Sequence, residues 1–286
     1  MNCMQILEQV KPLRVQVSEW KKLGYSIGFV PTMGNLHNGH LSLVKMAQQK
    51  CDKVVVSIFV NPMQFGPNED FATYPRTFES DQKKLADMQV DAVFYPSVDE
   101  IYPKGINQTS VHVPTDLTGL LEGATRPGHF DGVTTVVCKL FNMVQPDKAI
   151  FGQKDYQQLV VIKAMVDDLA LPIDIISAPI GRDIDGLALS SRNQYLSAEQ
   201  RKIAPKLQTL LQDIATAIQS GNNAFIDLCN TASQSLLAEG FDQVDYIQVC
   251  DADTLLPVKS FDKNLVILGV ARLGNTRLLD NILLIK

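Results

Sequence analysis

The ten residues from Pro31 to His40, Pro-Thr-Met-Gly-Asn-Leu-His-Asn-Gly-His, constrain this chain more than any other stretch. The apolar run Ile27-Gly28-Phe29-Val30 before them reads as a buried strand. Leu41 to Ala47 after them fits the start of a helix that continues to about Lys50. A strand-to-helix turn of this kind is where open α/β sheets bind ligands. Two of the four histidines in the chain, His37 and His40, stand here three apart. Gly34 and Gly39 permit positive φ or close approach of backbone to a ligand. An anion beside the turn would meet free N–H groups at the helix start. These residues alone admit two readings: an ATP site, or an ordinary glycine-containing βα turn.

At 286 residues and 45% apolar composition, the chain can bury a substantial core and make two domains. A formal charge of -5 argues against broad binding to nucleic acid or anionic lipid, while a local basic pocket could still hold a phosphate. The cysteines Cys3, Cys51, Cys138, Cys229 and Cys250 are odd in number and scattered. They suggest neither a disulfide framework nor a zinc site, and they fit a reducing compartment. No apolar run reaches the roughly 20 residues needed to cross a bilayer, and Met1 to Val10 does not read as a leader. The expectation is a soluble cytoplasmic protein with no nucleic-acid or membrane partner.

Along the chain, Ile6, Leu7, Val10, Leu13, Val17, Trp20 and Leu23 approximate a 3.6-residue period, which predicts one or two amphipathic helices over residues 4–24. Val54 to Val60 is the strongest strand signal, suited to a central parallel strand. Asn61 and Gln64 follow it at the carboxyl edge, as polar contacts in an apolar pocket or as plain turn chemistry. Residues 77–89 predict a helix with Phe78, Leu85 and Met88 inward, and residues 91–96 a short strand. Residues 97–129 read as a long lid or binding loop, with a strand-like piece at Ser110 to Val113. Asp131 is placed to cap a helix carrying Val133, Val136, Val137, Leu140 and Phe141 on its buried side. A strand at Lys148 to Phe151, a helix at Tyr156 to Val166 and a strand at Ile173 to Ile176 complete an α/β alternation, which favours a doubly wound, mostly parallel sheet.

The character changes near residue 180. Ser197 to Gln200 forms a capping box opening a helix to about Ser220, and a second helix covers about Asn223 to Ala238. Strands are expected at Val244 to Val249, Leu265 to Val270 and Arg277 to Asn281. The expected organisation is a domain over residues 1–180 and a smaller α+β domain over 181–286.

Lys154, Arg126, Arg192, His37 and His40 would supply positive charge for phosphates. The chain has no P-loop, no Gly-x-Gly-x-x-Gly after its first strand and no His-Glu-x-x-His. Two histidines are too few for a structural metal site, so no protein metal centre is expected. Ser190 and Ser191 lack the setting of a nucleophile elbow and read as a polar loop that caps local backbone.

Longer matches narrow the reading. Pro31 to His40, Phe59 to Phe65, Glu122 to Phe130, Phe151 to Gln158 and Leu189 to Asn193 resemble the pantothenate synthetase (pantoate–β-alanine ligase) family, over roughly Ile27 to Asp280. His37-Asn38-Gly39-His40 is similar to the His-x-Gly-His signature of the nucleotidyltransferase superfamily. Ser190-Ser191-Arg192 stands where distant relatives carry Lys-Met-Ser-Lys-Ser, a substitution usual in the pantothenate branch. The resemblance implies a Rossmann-like N-terminal domain binding ATP and pantoate, a C-terminal lid, and a cytoplasmic homodimer. It also implies ATP-dependent condensation of (R)-pantoate with β-alanine to pantothenate, AMP and diphosphate through pantoyl adenylate, with Mg²⁺ held mainly through ATP.

The resemblance further assigns roles. Met33, Gly34, Asn35, Leu36, His37, Asn38, Gly39 and His40 would line the nucleotide, with His40 a proton donor. Gly152, Gln153, Lys154 and Asp155 would bind ATP, joined by Gly181 and by a mobile segment of Leu189, Ser190, Ser191 and Arg192. The implied catalytic set is His37, His40, Lys154, Ser190, Ser191 and Arg192. Gln64 and Gln158 would hold pantoate, and Gln64 would also approach β-alanine. Pro31, Met33, Phe59, Val136, Val137 and Leu140 would wall its gem-dimethyl group, with Asn61 near the acyl end. A nucleotidyltransferase acting on a phosphorylated acceptor would share the histidines but need a basic acceptor pocket, which Gln64, Gln158 and the apolar wall disfavour. A non-enzymatic nucleotide sensor would leave the second-substrate residues without a purpose.

Overall fold

The computed structural model describes residues 4–67 and 69–286; Cys3 and the rest of residues 1–3, and Asn68, lie outside the described residues. They divide into two compact units. One is built from the chain up to Gly152 together with Val161–Ala178, the other from Gln153–Val160 and Pro179–Lys286.

The first unit is a six-stranded sheet of β1 (Gln5–Leu7), β2 (Ile27–Thr32), β3 (Lys53–Ile58), β4 (Ala92–Phe94), β5 (Lys148–Gly152) and β6 (Asp174–Ala178), in the order β1-β4-β3-β2-β5-β6 with parallel pairings throughout. Val54, Val55 and Val56 on β3 are all but inaccessible, as expected of a strand covered on both faces. β2 pairs with β3 on one side and β5 on the other, so the sheet reverses its winding there and opens a crevice at the carboxyl ends.

Several sequence expectations are corrected. Residues 5–7 form an edge strand on β4 rather than part of a helix, and the helix is Val10–Lys22. The 3.6 period is carried by Leu13, Val17 and Trp20, which do face the core. Pro12 sits in the first turn of that helix, where its missing N–H has no intrahelical acceptor to lose. Ser110 to Val113 is not a strand. Thr135 Oγ1 accepts the Val111 N–H, and Thr134 Oγ1 donates to the Val111 carbonyl, so hydroxyls satisfy this backbone in place of a neighbouring strand. Three short helices, Val98–Ile101, Thr115–Thr118 and Leu121–Thr125, interrupt the long loop. The next helix, His129–Val144, carries the expected buried valines, but Gly128 in the left-handed region caps it. Asp131 lies inside its first turn, 2.9 Å from His112 Nδ1.

The second unit has an antiparallel sheet, β7 (Gln243–Asp251), β8 (Leu265–Leu273) and β9 (Thr276–Leu284), whose buried face packs on helices Lys206–Gln219 and Phe225–Ala238. The Ser197 capping box is present, Ser197 Oγ accepting from Gln200 N and Gln200 Oε1 from Ser197 N. The helix it opens stops at Ile203, and a new one starts at Lys206. Pro205 between them has no N–H to continue the ladder. Among the described residues, no helix is long and apolar enough to cross a membrane.

Candidate active site

The turn after β2 is held from beneath by a buried carboxylate. Gly34 and Asn35 both have positive φ, 82° and 50°, and this curls the backbone into a nest of N–H groups. Asp81, fully buried on the Phe78–Asp87 helix, fills it: its carboxylate accepts from Asn35 N and Leu36 N, each at 2.8 Å, and from Thr77 Oγ1 at 3.0 Å. Lys84 Nζ donates to the Leu36 carbonyl at 2.6 Å. A Cβ at Gly34 would lie 3.2 Å from Asp81 Oδ2 and 3.1 Å from Ile58 Cγ2, so both φ and space favour glycine. The N–H groups of Asn35 and Leu36, ahead of the helix start, are therefore not open to an anion. The protein's own carboxylate uses them.

The helix that follows begins at Asn38, three residues earlier than the sequence suggests, with His37 as its N-cap. His37 Nδ1 accepts from Gly39 N at 3.1 Å, and His40 Nδ1 accepts from His37 N at 3.3 Å. The rings lie 4.1 Å apart between centroids, tilted by 44°. Histidine thus takes the place usually held by Ser at the cap and Glu at the third helical position. A ring nitrogen that accepts an N–H carries no hydrogen, so both imidazoles are neutral and keep their hydrogen on Nε2. Protonating Nδ1 of either ring would cost it its cap.

At the end of neighbouring β3, Asn61 caps a single 3-10 turn, Pro62–Gln64. Asn61 is 1% exposed. Its Oδ1 accepts from Met63 N and from the Tyr102 hydroxyl, and its Nδ2 donates to the Gly132 carbonyl and to Gln64 Oε1. Its polar atoms are thus engaged within the protein, and it orients Gln64. Gln64 Nε2 faces Met33 Sδ at 3.1 Å. Gly132 lets the His129–Val144 helix press onto this turn: a Cβ there would fall 2.3 Å from the Met63 carbonyl oxygen. Phe59, Val136, Val137 and Leu140 are buried, and Pro31 and Met33 are half-buried.

Arg126, expected to supply positive charge for phosphates, is engaged within the protein in this arrangement. Its guanidinium grips Glu69 with two hydrogen bonds of 2.6 Å, and its Nη2 reaches the Gln64 carbonyl at 3.4 Å. His129 donates from Nδ1 to the same carbonyl at 2.8 Å, while its Nε2 accepts from Arg126 Nη1 at 2.9 Å. Burial, then the neighbouring Arg126 charge, lowers the His129 pKa. Burial alone would raise Glu69, but the Arg126 hydrogen bond and charge outweigh it and hold the carboxyl low. Gln64 is therefore tied through both its side chain and its main chain.

In the second unit, Asn281 on β9, 2% exposed, donates from Nδ2 to the carbonyls of Gln153 and Lys154, each at 2.9 Å. Its neighbour Asp280 is bound by Arg182 through two hydrogen bonds of 2.6 and 2.8 Å. Lys154 Nζ lies 3.7 Å from Asp155 Oδ1, and the lysine lines a small pocket with Ser190, Asn193 and Asp280. Ser190 caps the 3-10 turn Ser191–Tyr195 by accepting from Arg192 N, and Leu189 N bonds to the Gly181 carbonyl. Gln158 is half-buried on the Tyr156–Asp168 helix. Among the described residues, no group of three or more His, Cys, Asp or Glu is placed to hold a metal ion.

The sequence model described as Pantoate-beta-alanine ligase matches residues 5–283. The chain belongs to the pantoate–beta-alanine ligase family. It is 61% identical over 280 residues to a protein of Hydrogenovibrio crunogenus called pantothenate synthetase, covering 98% of this chain and 99% of that one. A crystal structure of the pantothenate synthetase from Thermus thermophilus superposes with a TM-score of 0.92 at 44% identity, over 98% and 99% of the two chains. The pantoate-beta-alanine ligase of Francisella tularensis, solved in complex with beta-gamma ATP and beta-alanine, gives 0.81 at 36%, over 98% and 97%.

As a pantoate–beta-alanine ligase family member, the chain also carries site supports that reading the sequence missed. Asp81, Tyr102, Glu69 and His129 tie the two turns of the first unit, and Asn281 ties that of the second.

Proposed function

We propose that the chain condenses (R)-pantoate with β-alanine at the expense of ATP, giving pantothenate, AMP and diphosphate through pantoyl adenylate. The observation that carries this reading is the pairing of two devices at the ends of adjacent strands β2 and β3. One is a pair of histidines fixed as neutral Nε2–H donors; the other is an uncharged amide, Gln64, fixed with its N–H₂ on the Met33 side. The family match over residues 5–283 supports the same reading.

In the first step a pantoate carboxylate oxygen bonds to the α-phosphorus of ATP, and the bond to diphosphate breaks. Gln64 and Gln158 grip pantoate oxygens without a countercharge that would overstabilise the nucleophile. Pro31, Met33, Phe59, Val136, Val137 and Leu140 take the gem-dimethyl group, with Asn61 acting through Gln64. The Nε2–H groups of His37 and His40, with Lys154 and Arg192, stabilise charge on the transferring and departing phosphates without reorganising. In the second step β-alanine, which Gln64 also approaches, attacks the acyl carbon through its amine, AMP leaves and the nitrogen loses a proton. The nucleotide is bounded by Met33 to His40, by Gly152 to Asp155, and by Gly181 with Leu189, Ser190, Ser191 and Arg192 as the segment that closes over it. Closure has a purpose, since water would hydrolyse the adenylate. Mg²⁺ enters with the substrate as MgATP, held mainly through the nucleotide. In this reading residues 1–180 hold ATP and pantoate, residues 181–286 act as the lid, and the chain works as a cytoplasmic homodimer.

The test is pantoate-dependent release of diphosphate, followed by β-alanine-dependent appearance of pantothenate. Adenylyl transfer to a phosphorylated acceptor, or ATP binding with no turnover, would overturn the reading.

A further inference from the structure

Asn61 can be oriented atom by atom, because two of its four contacts are to main-chain groups with fixed roles. The Met63 N–H can only donate, so the atom it meets at 3.3 Å is Oδ1. The Gly132 carbonyl can only accept, so the atom it meets at 3.0 Å is Nδ2. The Tyr102 hydroxyl, 2.6 Å from Oδ1, is then a donor. The remaining hydrogen on Nδ2 points at Gln64, so the Gln64 atom 3.2 Å away is Oε1. That leaves Nε2 on the other side, beside Met33. A glutamine amide otherwise turns over readily about its last torsion, which is broad and roughly two-fold. Here the reversed amide would face one N–H₂ group with another, next to an asparagine that is 1% exposed.

Tyr102 is 2% exposed, packed near the Phe59 ring at 6.2 Å between centroids. A phenylalanine would fill that volume. The hydroxyl adds only its bond to Asn61, and burial pushes its pKa up, so it stays a donor across the working pH range.

We propose that Tyr102 is a positioning residue for pantoate: its hydroxyl holds Asn61, Asn61 holds the Gln64 oxygen, and Gln64 presents only N–H donors to the substrate. This rests on the placement of pantoate at Gln64 made above. It sets a specificity rule, since the substrate atom at Gln64 has to be an acceptor, a carboxylate or hydroxyl oxygen.

A double-mutant cycle on the full chain tests it, with Tyr102→Phe, Gln64→Ala and the pair, reading pantoate kcat/KM from diphosphate release alongside the KM for ATP. Tyr102→Phe should lower pantoate kcat/KM by about three- to tenfold, the worth of one hydrogen bond, with the ATP KM unchanged within about twofold. In the Gln64→Ala background the same change should cost nothing further. An equal cost in both backgrounds, or no cost in either, overturns the relay and leaves the pantoate site standing. Gln64→Ala with pantoate kinetics unchanged overturns the pantoate placement itself, and the relay with it. Gln64→Glu gives a second readout. It keeps the shape but offers only acceptors, so it should be at least as damaging as Gln64→Ala, and a near-normal pantoate KM would overturn the donor-only rule.

Discussion

His37 donates its backbone N–H to Nδ1 of His40, three residues on, at 3.3 Å. The contact ties helix initiation to the tautomer of the side chain proposed to meet the phosphates. It follows that His40→Ala loses both an Nε2–H donor and a cap. Diphosphate release in a single turnover should slow by on the order of 10²–10³. His40→Gln should recover part of this, because glutamine suits the third helical position of a capping box and retains an N–H. Both variants should use supplied pantoyl adenylate better than they make it. If adenylate formation were untouched and only amide formation failed, the assigned role would be wrong.

Asp81 supports the same turn from its buried side. Asp81→Asn keeps one acceptor oxygen but sets an N–H₂ group against one of the two backbone N–H groups, that of Leu36 at Oδ1 or that of Asn35 at Oδ2. The chain should lose about 2–3 kcal/mol in urea unfolding, the usual worth of hydrogen bonds to a buried charge. The KM for ATP should rise more than that for pantoate. A variant of normal stability and normal ATP dependence would show that the nest does not need its carboxylate.

His129 gives the site an acid limit. Folding lowers its pKa, so as pH falls the unfolded chain takes up the proton first. The contribution of neutral His129 is full above about pH 6.5 and is lost as pH drops from there through the depressed folded value. Protonated Nε2 would also face Arg126. The pantoate KM, which reports the folded protein, should therefore climb only as pH falls through that depressed folded value. His129→Asn should flatten that rise, and an unchanged profile in the variant would assign the limit to another group.

Lys154 and Asn281 should fail alike for different reasons. Lys154→Ala removes a cation, and Asn281→Ala frees the backbone that aims it. Each should slow adenylation far more than it lowers the thermal midpoint. The two losses should not add in the double variant, since residues acting as a unit are not additive. Full additivity would separate Asn281 from the lysine.

What could be read in advance follows the range of the interactions. β3 was legible because Val54 to Ile58 is β-branched almost throughout, and the His37–His40 turn because it joins an apolar run to a helical pattern. β1 was not, since three residues carry no period and their partner, β4, lies far along the chain. Asp81, Tyr102 and Asn281 looked like ordinary polar positions. Their roles come from partners 45, 41 and 127 residues away in sequence, which no local pattern encodes. The pairing of Arg126 with Glu69 is hidden for the same reason, since it spans 57 residues.

The Asn281 anchor also sets an order of events during synthesis. A ribosome has to add 127 residues after Lys154 before the amide that fixes its carbonyl exists. At about 5–20 residues per second that is roughly 6–25 s. In that interval the parallel sheet can form around β2 and β3, while the lysine turn stays unanchored. A nascent chain is thus kept from completing its nucleotide-activating apparatus until the strand that closes the second unit has been made.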